Sequence, residues 1–169
     1  MKFLITADIH GSINTWLTIQ ALMANQDILV IAGDLFDTKY GRFGHPDFAP
    51  ETIRQDLSAL PHKFYYVYGN CDTPSFFPGY DHSLLLEASN KNIFLHHGHH
   101  PVTIPSNADI IIQGHTHICS LEKKDHRIFM NPGSITRPKK GPATFGIIED
   151  GCIRIMDLHT GTDLVSMDL

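Results

Sequence analysis

Short apolar runs, many of them β-branched or aromatic, recur along the chain between polar and glycine-rich stretches. Five of them occupy the first two thirds: Phe3–Ala7, Ile28–Ala32, Phe64–Tyr68, Ile93–Leu95 and Ile110–Ile112. Each run is continuously apolar rather than alternating, which is typical of strands that are buried on both faces. The pattern therefore predicts strands inside a layered fold.

Two helices are predicted between these runs. Ser12 is a suitable N-cap for a helix that extends to about Ala24, and the apolar positions of this segment keep helical spacing. A second helix is predicted from Glu51 to Leu60, because Pro50 precedes it and Pro61 ends it.

The last third of the chain is predicted to be rich in strands joined by tight turns. The segments 118–122, 127–131, 143–149, 152–158 and 163–168 fit strands. Asp150-Gly151 is a strong two-residue hairpin signal, and Asn131-Pro132-Gly133 suits a type II turn. The residues alone thus predict one domain, 1–169, with two packed sheets and helices outside.

The loops 37–50 and 73–81 are long and contain several aromatic residues, which favours a functional role over disorder.

Composition narrows the set of partners. The formal net charge is -5, so the chain lacks the basic surface expected of a nucleic-acid-binding protein. No stretch reaches the roughly 20 apolar residues of a membrane span. The run at Phe3–Ala7 is shorter than the core of a signal peptide. The three cysteines are odd in number and far apart, which is typical of a reducing compartment. We therefore expect a cytoplasmic protein that acts on small molecules, with its association into a homodimer or homotetramer left open.

A side chain that can bind metal follows each of the five apolar runs. In chain order these residues are Asp8 and His10, Asp34, Asn70, His97 and His99, and His115 and His117. Ligands collect at the carboxyl ends of strands in open α/β sheets, so we expect these residues to converge on one edge.

The types of these side chains limit the metal. Carboxylate, amide and imidazole groups without thiolate suit Mn²⁺, Fe or Zn²⁺. Six or seven ligands are too many for one ion and fit two, which a shared carboxylate can hold roughly 3.5–4 Å apart for phosphoryl chemistry. Asp8 and Asp34 would neutralise only half of the charge of two divalent ions, so the site would attract phosphate.

The motifs taken together resemble those of the calcineurin-like metallophosphoesterases, and more closely the small YfcE-type phosphodiesterase branch. They are D-x-H (Asp8, His10), G-D (Gly33, Asp34), G-N-x-D (Gly69, Asn70, Asp72), H-G-H (His97–His99), G-H-T-H (Gly114–His117) and N-P-G-S (Asn131–Ser134). The resemblance implies a four-layer αββα sandwich of two mixed sheets flanked by helices. It also implies hydrolysis of a small phosphodiester by a metal-bound hydroxide.

The resemblance assigns ligands to two divalent ions, with Mn²⁺ preferred over Zn²⁺, Fe or Ni²⁺. One ion would be held by Asp8, His10, Asp34 and His117, and the other by Asp34, Asn70, His97 and His115, with Asp34 as the bridge. Asn131 and Ser134 would support the site or line its rim, or simply form a turn. Arg137, Lys139 and Lys140 would meet substrate or form an exposed charged segment.

Cys71 stands where the wider superfamily has a histidine that assists the leaving group. A thiol cannot carry the positive charge of an imidazole, so we expect weaker assistance, with Cys71 either positioning substrate or merely packing. His99 and Asp72 are then the candidates for proton transfer. Asp37 is expected to orient its loop rather than bind metal.

Three other functions have to be distinguished from this one. A phosphomonoesterase or a nuclease of the same superfamily remains open, although a nuclease would favour a basic groove. A non-catalytic scaffold like the retromer subunit is disfavoured, because here all the expected ligands are intact.

Overall fold

A computed structural model describes residues 2–88 and 90–169, which form eleven strands and two helices. In chain order the elements are β1 (Phe3–Thr6), α1 (Ile13–Ala21), β2 (Ile28–Ile31), α2 (Pro50–Ser58), β3 (Phe64–Tyr66), β4 (Ser83–Ala88), β5 (Lys91–His96), β6 (Ile110–Ile112), β7 (Ser120–Lys124), β8 (Arg127–Asn131), β9 (Thr144–Glu149), β10 (Cys152–Asp157) and β11 (Asp163–Asp168).

The strands form two mixed sheets. The six-stranded sheet has the order β11-β10-β9-β1-β2-β3, in which β1, β2 and β3 are parallel and β9 to β11 are antiparallel. The five-stranded sheet has the order β4-β5-β6-β8-β7, with β5, β6 and β8 parallel and an antiparallel strand at each edge. The two sheets pack face to face: Ile5 and Val30 of one share a buried cluster with Leu95, Ile112 and Met130 of the other.

The outer faces of the two sheets are covered differently. Both helices lie on the six-stranded sheet, where Trp16 and Ile53 pack against Leu4 and Leu29. On the five-stranded sheet, Phe94 and Ile111 are covered by the irregular segment 101–109 through Ile104 and Ala108. The predicted sandwich of two mixed sheets is confirmed, but among the residues described an irregular segment takes the place of the second helical layer. Neither of these helices is long and apolar enough to cross a membrane.

Local predictions agree with the structure to within a few residues. Ser12 caps α1 by accepting a hydrogen bond from the Thr15 backbone at 3.2 Å, as expected, but the helix ends at Ala21. Asp150 and Gly151 join β9 to β10 with φ of 50° and 75°. Strand β4 was not predicted. It is an edge strand with partly exposed leucines, so its pattern is neither fully buried nor cleanly alternating.

Candidate metal centre

The parallel strands β1, β2 and β3, together with β5 and β6 of the second sheet, deliver the predicted ligands to one edge of the sandwich. Glycine makes this close approach possible. A Cβ atom at Gly69 would collide with the Asp34 carboxylate, and one at Gly33 would collide with the His97 ring. The glycines before Asn70 and Asp34 are therefore both required by space, and Gly33 also has a φ of 86°.

Five of the predicted ligands have left-handed backbone conformations. They are Asp8, His10, Asp34, His115 and His117, with φ between 52° and 68°. A positive φ is uncommon for residues other than glycine, and such backbone strain concentrates at functional sites. Here these residues lie in the loops that follow strands β1, β2 and β6.

The first group of ligand atoms surrounds Asp8 Oδ1. His117 Nε2 lies 3.2 Å from this oxygen and 3.1 Å from His10 Nε2, and the distance from His10 Nε2 to Asp8 Oδ1 is 3.9 Å. Asp8 Oδ1 is buried and has no hydrogen-bond partner among the residues described. A buried carboxylate oxygen without a partner is costly, and a cation placed among these three atoms would satisfy it.

The second group surrounds His97 Nε2. Asp34 Oδ2 and Asn70 Oδ1 each lie 3.2 Å from this nitrogen. Burial alone would raise the pKa of Asp34, but hydrogen bonds from His97 and the Cys71 backbone outweigh it and hold this pKa well below its usual value. Burial alone would lower the pKa of His97, but its contact with Asp34 raises it instead. Asp34 is therefore ionised and available to a metal.

Two of the histidines are anchored through the ring nitrogen that faces away from the cluster. His97 Nδ1 contacts the Ala32 carbonyl oxygen at 2.7 Å, and His117 Nδ1 contacts that of Arg137 at 2.8 Å. A carbonyl oxygen only accepts hydrogen bonds, so each Nδ1 carries a proton and Nε2 faces the site, where a bound metal would replace any second proton. Metal-binding histidines are commonly oriented in this way.

The two groups are joined through the carboxylates. The ligand atoms of Asp8, His10 and His117 all lie within 4.8 Å of one another, as do those of Asp8, Asp34 and His97, and those of His10, Asp34 and Cys71. Asp8, His10 and Asp34 each belong to two of these three sets, so the two carboxylates connect the ligand atoms into one cluster. Carboxylate, imidazole and amide ligands fit divalent metals, so the residues present suit the expected ions.

His115 is the exposed member of the predicted set. Its ring centroid lies 5.2 Å from that of His97, with the rings nearly perpendicular. Its backbone N–H donates to Asp8 Oδ2 at 2.9 Å. The imidazole therefore stands at the open edge, while the backbone holds the Asp8 carboxylate in place.

Cys71 is buried, and its sulfur accepts a hydrogen bond from Asn70 Nδ2 at 3.2 Å. Burial, reinforced by the negative charge of Asp34, raises the pKa of the Cys71 thiol. The thiol is therefore protonated at neutral pH, which does not suit a nucleophile. Its position beside Asp34 and His10 is that of a small residue at the floor of the site.

Asp72 is placed differently from the expectation. It is buried, and its two oxygens accept hydrogen bonds from the backbone N–H groups of Leu35, Phe36, Asp37 and Gly69. A carboxylate held by four amides ties two site loops together, and this argues against its predicted part in proton transfer.

His99 lies at the rim, with its ring centroid 5.2 Å from that of His97. Burial and the neighbouring histidines lower the pKa of His99 to about 4, so the ring is neutral at pH 7.

Residues outside the ligand set support it. Ser134 Oγ donates to the Asp8 carbonyl oxygen at 2.8 Å, and Asn131 Nδ2 donates to that of Gly114 at 2.8 Å.

Asp37 Oδ2 lies 3.1 Å from His10 Nδ1 and 3.5 Å from Arg137 Nη1. Sequence reasoning had placed Asp37 only in its loop. The D-x-x-D spacing from Asp34 was the available signal, but the contact with His10 joins residues 27 positions apart.

The family model of the calcineurin-like phosphoesterase superfamily domain matches residues 1–150. The chain belongs to this superfamily. The chain is 30% identical over 175 residues to Phosphodiesterase YfcE of Escherichia coli K12, covering 94% of this chain and 93% of that protein. It is 30% identical over 152 residues to the probable metallophosphoesterase YsnB of Bacillus subtilis, covering 82% of this chain and 78% of that one.

Solved structures agree. That of YfcE, a phosphoesterase from E. coli, superposes with a TM-score of 0.83 at 26% identity and covers 99% of both chains. Vps29 of Entamoeba histolytica, solved with Zn²⁺, superposes with a TM-score of 0.67 at 20% identity and 99% coverage of both chains, which shows the shared fold alone. As a member of this superfamily with clustered side chains that could bind metal, the chain is a metal-dependent phosphoesterase.

Proposed function

We propose that this phosphoesterase is a dinuclear-metal phosphodiesterase acting on a small phosphodiester. The observation that carries the proposal is the convergence of two buried carboxylates, each in two groups of ligand atoms, at one edge of the sandwich. The name of the 30% identical relative, Phosphodiesterase YfcE, supports a diester rather than a monoester.

The proposed ligands are those that the motifs suggested. Asp8, His10, Asp34 and His117 would hold one ion, and Asp34, Asn70, His97 and His115 the other. Two divalent ions would acidify a water molecule and neutralise the charge that develops on the phosphoryl group. Mn²⁺ is our first choice, because oxygen and imidazole ligands suit it, with Zn²⁺, Fe or Ni²⁺ as alternatives.

The chain's own residues contribute orientation, charge and proton exchange. Asn70 is a neutral ligand, so it leaves the site more positive than a third carboxylate would. The carbonyls of Ala32 and Arg137 hold His97 and His117 in the required orientation. His99 is neutral and stands at the rim, so it is the residue that we propose to exchange a proton with substrate.

A small substrate and a cytoplasmic setting complete the proposal. The net charge of -5 offers no general attraction for a polyanion, so a nucleic acid is a poor candidate. Cys71, Cys119 and Cys152 are all free thiols, which fits a reducing compartment.

The test is a screen of purified protein with Mn²⁺ against bis(p-nitrophenyl) phosphate, cyclic nucleotides, phospholipid-type diesters and p-nitrophenyl phosphate. We expect turnover of at least one diester to exceed that of the monoester, with Asp34→Asn as the inactive control. Faster hydrolysis of the monoester would favour a phosphomonoesterase. A protein that holds two metals per chain yet hydrolyses none of these esters would favour the non-catalytic scaffold.

A further inference from the structure

A pocket of about 130 Å³ lies beside the ligand cluster, between loop 37–50 and the start of α1. His10 forms part of its wall and is the only one of the seven proposed ligands that does so. A group that fills this pocket therefore lies beside the two carboxylates rather than over them. The phosphoryl group that reacts has to lie over the carboxylates, so the pocket suits a different part of the substrate.

The pocket is held in shape by hydrogen bonds between the loop and α1. Ile13 donates through its backbone N–H to the Asp47 carbonyl at 2.9 Å, and Ala49 donates to that of Gly11 at 2.9 Å. Ser12 Oγ donates to Asp47 Oδ2 at 2.7 Å. These bonds fix the end of the loop that forms one wall. The pocket is therefore organised before a ligand arrives, which lowers the entropic cost of binding.

The unused charge in the pocket is positive. Arg42 and Arg137 both line it. Arg42 is exposed and has no side-chain hydrogen bond or ion pair within residues 2–88 and 90–169. Arg137 makes one ion pair, with Asp37 at 3.5 Å, so most of its five N–H donors remain free.

The acid in the pocket wall does not occupy the donors of these arginines. Asp47 also lines the pocket, but its Oδ1 accepts from the Asn14 backbone at 2.9 Å and its Oδ2 accepts from Ser12. The carboxylate is thus committed to the first turn of α1, where the helix dipole favours a negative charge. The arginines are left with donors that fit a carboxylate or a phosphate.

We propose that this pocket binds a second anionic group, a carboxylate or a phosphate, carried by the alcohol portion of the phosphodiester substrate. Arg42 is then a specificity-determining residue, because it contacts the second anion and takes no part in the reaction at phosphorus. The assignment of the ligand as part of a diester rests on the proposed function above, whereas the anion site rests on the pocket.

A matched pair of substrates tests this. We would compare p-nitrophenyl 2-carboxyethyl phosphate with its carboxamide, since the two have the same leaving group and nearly the same shape. We expect the wild type to favour the carboxylate by about tenfold in kcat/KM, as one charge-assisted contact would give. Arg42→Gln should abolish this preference and leave the carboxamide unaffected. Lys124→Gln, which removes an exposed charge on β7, is the control and should keep the preference.

Two results would overturn the proposal. The first is a wild-type preference near one. The second is an equal loss on both substrates in Arg42→Gln, which would mean that Arg42 contacts the reacting phosphate instead.

Calorimetric titration of both diesters into EDTA-treated protein measures binding to the pocket independently of hydrolysis. If neither diester is hydrolysed, the phosphodiesterase function fails. Tighter binding of the carboxylate to wild type than to Arg42→Gln would still support the anion site, and equal binding would refute it.

Discussion

Asp37 Oδ2 lies 3.1 Å from Nδ1 of His10, on the side of the imidazole opposite the nitrogen that faces Asp8 and His117. Both Asp37 and His10 are buried, so this contact fixes the orientation of the ring. It also makes the ring a stronger ligand, because a carboxylate at Nδ1 increases the basicity of Nε2.

Replacing Asp37 with Asn should weaken metal binding. The amide lacks the charge that supports His10, so we expect affinity for Mn²⁺ to fall by about 10- to 100-fold, measured by titrating activity against free Mn²⁺. Asn tolerates the φ of 52° at this position. Asp125→Asn is a matched control, since Asp125 has a φ of 54° in an exposed turn. Equal metal affinity in the two variants would contradict this role for Asp37.

The variant Asp34→Asn should lose activity by several orders of magnitude. Asp34 belongs to two groups of ligand atoms, so losing its charge weakens both proposed metal positions at once. Turnover and bound metal per chain are the measurements. Because the Asp34 side chain also accepts a bond from the Cys71 backbone at 2.7 Å, a circular dichroism spectrum should confirm folding. Near-normal turnover would rule out the two-metal assignment.

Removing metal with EDTA should lower the melting temperature of the wild type. Ions that bind only the folded state stabilise it, and Asp8 Oδ1 is left buried without a partner in their absence. Mn²⁺ at about 100 times its dissociation constant should raise the melting temperature by about 5–10 °C. Asp34→Asn should show a much smaller shift in differential scanning calorimetry. A wild-type shift no larger than that of the variant would argue against a metal site here.

Substitutions of Cys71 should separate packing from catalysis. Serine is close to cysteine in size and is also protonated at neutral pH, so we expect Cys71→Ser to change turnover by only a few fold. Cys71→His should raise activity on diesters with poor leaving groups, because an imidazole can donate a proton or carry positive charge. Steady-state rates on p-nitrophenyl and alkyl diesters would test both. A Cys71→Ser variant that holds two metals but is inactive would refute this interpretation.

Asp72→Asn should reduce stability more than it reduces the specific activity of the folded fraction. In the wild type, backbone N–H groups donate to both oxygens of the Asp72 carboxylate. In the variant, the side-chain NH₂ group would face some of these donors, so we expect the free energy of unfolding to fall by about 2–4 kcal/mol. Urea denaturation would measure it, with the exposed Asp168→Asn as control. A variant of normal stability with no activity would restore Asp72 as a proton-transfer residue.

The elements that carry the site follow from the local pattern of apolar and polar residues. Continuous apolar runs specify buried strands, and the polar residue after each run lies at a strand end, so Asp8, Asp34 and His97 could be assigned to one edge in advance. This is a local property, since a run of a few neighbouring apolar residues indicates a buried strand.

Which polar groups meet depends on the three-dimensional packing of the loops. Asp72 bonds backbone amides about 35 residues away, and Asp37 reaches His10 across 27 positions. The pocket with Arg42 and Arg137 likewise joins a loop to a segment far along the chain. Such contacts depend on how the loops fold over one sheet edge. No periodicity in the sequence encodes this, because loop conformation is set by packing and hydrogen bonds with distant residues.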